Sequence, residues 1–241
     1  MTLLQTPPRM EVPRARAWRR TLRALSSMLI IAGVLLLADA GLTVAWQEPV
    51  SALYSRLKQD QLSGRLAETN KVKPTPLEQR VIAALPDDGA RMAFQSRALN
   101  RRAKKGQPIG RVLMPRIGAS IVFVEGTDTG SLRTGPGHYP GTPLPGARGT
   151  TAIAGHRTTY GAPFRRIDRL RKGDEIRVEM PYGRFVYKVE STKIVPPSAT
   201  YVTKKVSYDR LVLTACHPLY SAKQRIVVFA RLVSGKRAGL L

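Results

Sequence analysis

Beyond Gly106 the chain breaks into short apolar, β-prone runs separated by glycine and proline, and this texture narrows the choice of fold more than any other feature. Candidate strands cover residues 109–114, 119–124, 150–155, 175–180, 184–195, 209–215 and 225–233. The clearest pairing joins EIRVEM to RFVYKV through Pro181, Tyr182 and Gly183, with Ile176, Val178 and Met180 alternating onto one face of a hairpin. Many short strands at this spacing favour an all-β barrel or sandwich over a parallel α/β sheet. A domain over 107–241 is large enough to bury a core of its own.

The amino end is built differently. Residues 1–23 carry six arginines against one acid, Glu11, and the next twenty-three residues, Ala24 to Trp46, hold a single charge at Asp39. About twenty apolar residues cross a bilayer core, so this segment reads as a transmembrane anchor. A cleaved signal peptide is the competing reading, because residues 38–40 (ADA) are small like those of a cleavage site. The apolar stretch continues through Leu42 and Val44 to Trp46, longer than a signal core, which favours a retained anchor. Arginines on its amino side hold residues 1–23 in the cytoplasm and send 47–241 outside the cell. Residues 47–106 read as a stalk, with weakly helical spacing at Leu53, Leu57, Leu62 and Leu66, a KVKPTP break and the basic run RRAKK at 101–105. Helix and disorder are expected there rather than a second core.

An exported domain with one cysteine forms no internal disulfide, so that thiol needs another reason to exist. Cys216 lies in LVLTACHPLY, with His156 sixty residues earlier in AGHRTTYGAPF and Arg225 nine residues later. A lone cysteine with a distant histidine is the pattern expected when the fold brings a thiolate to its acid/base partner. The competing reading is a small buried hydrophobe. Pro218 follows by two residues and puts the sulfur near a strand end, where a reactive group is both exposed and rigidly held.

Four ordered motifs and the arginine after them carry a family resemblance: GPGHYPGTPLPG at 135–146, AGHRTTYGAPF at 154–164, LRKGDEI at 170–176, LTACHP at 213–218 and Arg225. Over roughly 107–233 the chain resembles the sortases, membrane-tethered cysteine transpeptidases of Gram-positive bacteria, and most closely class E of actinobacteria. The resemblance implies a closed eight-stranded β-barrel with short helices. It implies Cys216 as nucleophile, His156 as general acid/base and Arg225 as donor to the substrate oxyanion. It implies as partners secreted proteins with a C-terminal LPXTG-like signal, in the LAXTG variant of class E, cut between Thr and Gly. The acceptor it implies is an amine such as lipid II or a peptidoglycan cross-bridge.

The family pattern TLxTC is broken here by Val212 and Ala215, so a hydroxyl contact beside the cysteine is expected to be missing; alternation turns Thr214 to the other face from position 215. His217 faces away from Cys216 by the same rule and reads as packing or loop bonding, and His138 reads as a turn histidine. Arg157 and Tyr160 read as packing or groove-shaping residues. No cofactor or metal is expected, since three histidines and one cysteine lack a zinc spacing and no acidic run suits calcium. The net charge of +24 is spread along the chain without a nucleic-acid motif, which fits anionic lipid head groups and wall polymers instead. Two alternatives stay open: a pilin-polymerising sortase, although DDG at 87–89 lacks the aromatic of that class's lid, and an impaired barrel that binds anionic wall polymer.

Overall fold

A computed structural model describes residues 14–45, 49–71 and 74–238. The chain divides into two compact units, Met1–Pro49 and Val50–Leu241. Arg9, Glu11 and Trp46 lie outside the described residues.

The described residues of the first unit hold one long helix, α1 (Arg14–Ala45). Its segment Trp18–Leu42, 25 residues with mean hydropathy 2.1, is long and apolar enough to cross a bilayer. A helix of this length and hydropathy is a candidate membrane anchor.

The second unit begins with three helices, α2 (Pro49–Lys71), α3 (Pro76–Ala84) and α4 (Asp88–Arg102). A capping box at Thr75 and Glu78 with Pro76 at the first position starts α3, and Asp87 caps α4. The DDG segment is therefore a helix start, with Asp88 paired to Arg91 and Arg237. The stretch expected as a stalk is helical, and its buried faces join the β-domain. Met92 and Leu99 of α4 enter the main core, while Leu62 and Leu66 of α2 cluster with Val122 and Val124. Ser96 donates to the Leu144 carbonyl, and the Gln59 side chain bonds both the N–H and the C=O of Val122, serving as a strand partner there.

Eight strands then form a closed barrel, as the resemblance implies, in the order β1-β2-β3-β4-β7-β8-β6-β5. They are β1 (Pro108–Met114), β2 (Ala119–Glu125), β3 (Gly137–His138), β4 (Thr150–Ala154), β5 (Glu175–Met180), β6 (Gly183–Val195), β7 (Arg210–His217) and β8 (Gln224–Arg237). All pairs are antiparallel except β2–β3 and β4–β7. The β5–β6 hairpin closes at Met180↔Gly183, so its turn is Pro181–Tyr182, and Ile176, Val178 and Met180 face the core as expected. Leu211, Leu213 and Ala215 of β7 also face inward, with Ile226, Val228 and Ala230 of β8. The outer face carries a second apolar cluster, Ala152, Val212, Val227 and Phe229, covered by Val195, Ala199 and Val202 from the end of β6 and the connection to β7.

Two findings differ from the sequence reading. The two-residue strand β3 closes the barrel by pairing Val124↔Gly137 in parallel, and two residues leave no periodic signal in a sequence. β7 extends through Cys216 to His217 instead of ending at 215.

Candidate active site

Strand register brings the cysteine and the arginine together. Cys216, next to last in β7, stands directly opposite Arg225 of β8, so both side chains leave the same face of the sheet. Alternation makes this the outer face, shared with Val212 and Thr214. Cys216 is a half-buried free thiol. The Arg225 guanidinium turns back to its own loop, where Nη1 donates to the Ala222 and Gln224 carbonyls, each at 3.0 Å.

His156 reaches the same end of the barrel through β4. Ala154 pairs with Thr214 in parallel register, and the Gly155 N–H continues the ladder to the Thr214 carbonyl at 3.0 Å. The next residue, His156, therefore emerges beside Cys216, one strand away on the side opposite Arg225. The strand end needs glycine at 155, because a Cβ there would lie 2.5 Å from the Phe164 ring. Phe164 is fully buried and donates its N–H to the His156 carbonyl, which folds residues 156–164 into a tight loop. Tyr160 (φ 50°) and Ala162 (φ 45°) in this loop are left-handed, an arrangement costing about 1–3 kcal/mol each that persists only when surroundings enforce it.

The imidazole of His156 shares Nδ1 with the Thr159 hydroxyl at 3.3 Å and lies 4.9 Å from the Tyr160 ring, which leaves Nε2 for chemistry. Burial pushes its pKa below the ordinary 6.5, because a half-buried ring disfavours the charged form. The imidazole is thus neutral at pH 7. Stability that depends on this neutral ring is present above about pH 6.5 and is lost as pH falls through the lower folded value. The C2-proton resonance of His156 is expected to titrate with a midpoint below 6.5 in an NMR pH series; a midpoint above 6.5 contradicts burial as the dominant cause.

The remaining candidates separate cleanly. Ala215 faces the barrel core, so a hydroxyl at this position would point inward, away from Cys216; the outer hydroxyl belongs to Thr214, 3.0 Å from the Tyr139 hydroxyl. The threonine missing at 215 therefore removes nothing from the face that carries the thiol, whereas Val212, where the pattern has its first threonine, lies on that outer face. His138 is fully buried in β3, held by Glu125 Oε2 at 2.8 Å and Thr142 Oγ1 at 2.9 Å, a structural network. His217 Nδ1 accepts from Arg157 at 2.9 Å. Arg157 is almost wholly buried and bridges three segments, a role no spacing in the sequence announces. Tyr139, read from the sequence only as part of a motif, packs against the outer cluster.

A family model for the Sortase domain matches residues 112–233. Sortase D of Bacillus subtilis (strain 168) is 33% identical over 179 residues, 70% of this chain and 89% of that protein. Sortase SrtE2 of Streptomyces coelicolor is 27% identical over 236 residues, covering 90% of this chain and 87% of its own length. Among solved structures, Sortase E1 from Streptomyces coelicolor with a tripeptide in the active site superposes with a TM-score of 0.52 at 28% identity, over 56% of this chain and 93% of that one. With its closed barrel and a family match spanning half of its length, the chain belongs to the sortase family.

Proposed function

We propose that this sortase is a membrane-tethered cysteine transpeptidase of the class E kind, with residues 1–23 cytoplasmic, 24–46 spanning the membrane and the barrel outside the cell. In this reading it cleaves a C-terminal LPXTG-like signal, in its LAXTG form, between Thr and Gly and transfers the acyl group to a cell-wall amine. The observation that carries the reading is the cross-strand pair Cys216↔Arg225 with His156 entering beside it from β4. Support for class E comes from the SrtE2 likeness and the tripeptide described in the related Sortase E1.

The chemistry follows from these roles. Cys216 Sγ, as thiolate, attacks the threonine carbonyl carbon, and the carbonyl oxygen gains the charge of a tetrahedral intermediate. The Arg225 guanidinium, on leaving its loop carbonyls, donates to that oxygen. The His156 imidazolium, holding the proton taken from the thiol, gives it to the departing glycine nitrogen as the C–N bond breaks and the thioester forms. An incoming amine then attacks the thioester, losing its proton to neutral His156, and the C–S bond breaks to free the thiolate. The lowered pKa of His156 favours the neutral base of this second half.

The test incubates the full chain in detergent micelles with LAXTG and LPXTG peptides and a glycine amine, followed by chromatography of the products. A new species joining the peptide through its threonine to the amine is the expected result. Intact peptide in both series between pH 6 and 8 would sink the reading.

A further inference from the structure

Within the site, one buried cation remains without a role. Arg157 follows His156 in the chain, yet its guanidinium points inward, with only 3% of the side chain exposed. Its contacts leave in three directions. Nη1 lies 2.9 Å from His217 Nδ1 and 3.5 Å from the Cys216 carbonyl, Nη2 pairs with Asp168 Oδ2 at 3.1 Å, and Nε donates to the Arg165 carbonyl at 3.4 Å. A guanidinium offers five donors in a fixed planar fork, so one side chain can tie separate backbone segments in a set geometry.

These segments are the ones the reaction must hold together. His156 sits on a loop whose Tyr160 and Ala162 are in left-handed conformations, and such a loop relaxes unless something restrains it. Parallel pairing with β7 stops at Gly155, so no strand hydrogen bond reaches His156 itself. Arg157 supplies the missing tie. We propose that Arg157 is a positioning residue for this sortase, pinning the loop that carries His156 to the strand end that carries Cys216. It touches no substrate atom in this account and acts through His156. The inference rests on the roles of Cys216 and His156 given under Proposed function.

The test compares the wild-type full chain in detergent with R157A, R157K and D168N, measuring kcat and KM for an LAXTG peptide, thermal unfolding, and rescue by methylguanidinium. R157A is expected to lose about 100-fold in kcat with KM held within about threefold, since a misplaced acid/base slows chemistry more than binding. R157K should recover less than about a tenth of the rate, because an ammonium cannot reproduce the fork. Methylguanidinium should raise the R157A rate at least about fivefold and leave the wild type unchanged. D168N, which keeps the arginine, should lower kcat about threefold to tenfold at an unchanged melting temperature. Full activity in R157A, or a loss that follows the folded fraction without rescue, overturns the proposal; should R157A not fold, wild-type kcat in D168N overturns it.

Iodoacetamide alkylation of Cys216 separates this from failure of the sortase reading, because it needs neither peptide nor amine. A wild type that cleaves nothing while alkylating normally counts against the reading alone. The alkylation rate is then the readout for Arg157. Asp168 and His217 are held by Arg157 and Arg225 stands opposite Cys216, so D168N serves as the charge control. A pH-dependent step from His156 that is lost in R157A supports the placement, and a step retained there overturns it.

Discussion

Replacing Cys216 by alanine is expected to abolish peptide cleavage and amine transfer while leaving the fold intact. Removing an enzyme's nucleophile lowers turnover by about 10⁴-fold or more, since the remaining groups act only as a unit. The structural loss is slight by comparison. Cys216 is half-buried on the outer face, at the next-to-last position of β7, and its inward neighbour Ala215 carries the core packing. A change of one sulfur at such a place shifts stability by less than about 1 kcal/mol. Cleavage measured beside a thermal melt separates the two effects. A variant that keeps its melting temperature and its activity would remove the thiol from the mechanism.

The second large effect is expected at Gly155, which never meets substrate. A methyl at its Cβ position would sit 2.5 Å from Phe164 Cδ2 and 2.8 Å from Cγ, and Phe164 is a fully buried ring with no room to swing away. Either the ring or the end of β4 must move. Overpacking of this kind destabilises by about 1–3 kcal/mol. The displacement falls on the residue next to His156, whose carbonyl also receives the Phe164 N–H. A shift of roughly 1 Å at a catalytic group costs about 100-fold in rate, so Gly155→Ala should lose activity out of proportion to its stability. Shortening the ring in the double variant G155A/F164L should restore part of both losses, measured by unfolding and by cleavage. No recovery of either in the double variant would show that the Gly155–Phe164 contact does not set the position of His156.

Much of the barrel was legible because its strands advertise themselves by alternation. Seven of the eight strands lie where apolar runs meet Gly and Pro, and the eighth, Gly137–His138, is too short to carry a pattern. Docking of α2 and α4 was not legible. Their buried contacts are few and spaced among charges, such as Met92 and Leu99 within DGARMAFQSRALNRR, so the periodicity is faint while the packing is real. At the site, the Cys216–Arg225 pair follows from a short antiparallel connection, which two adjacent strand signals and the nine-residue spacing make readable. His156 depends on the parallel pairing of β4 with β7 across sixty residues; the lone-cysteine pattern and the family resemblance point to the residue, and no signal in the sequence gives the pairing that brings it there. The inward face of Ala215 follows from counting alternation from the core side. Arg157 had no legible role, because a buried arginine is defined by partners, here residues 165–168 and the end of β7, that only the fold assembles around it.

Intact-protein mass spectrometry of the full chain, quenched in acid during turnover of an LAXTG peptide, tests the central claim most directly. The account predicts an added mass equal to the peptide acyl fragment ending in threonine, mapped to Cys216, discharged by hydroxylamine and absent in Cys216→Ala. Peptide cleavage with no adduct on Cys216, or an adduct that forms on another residue, would contradict it.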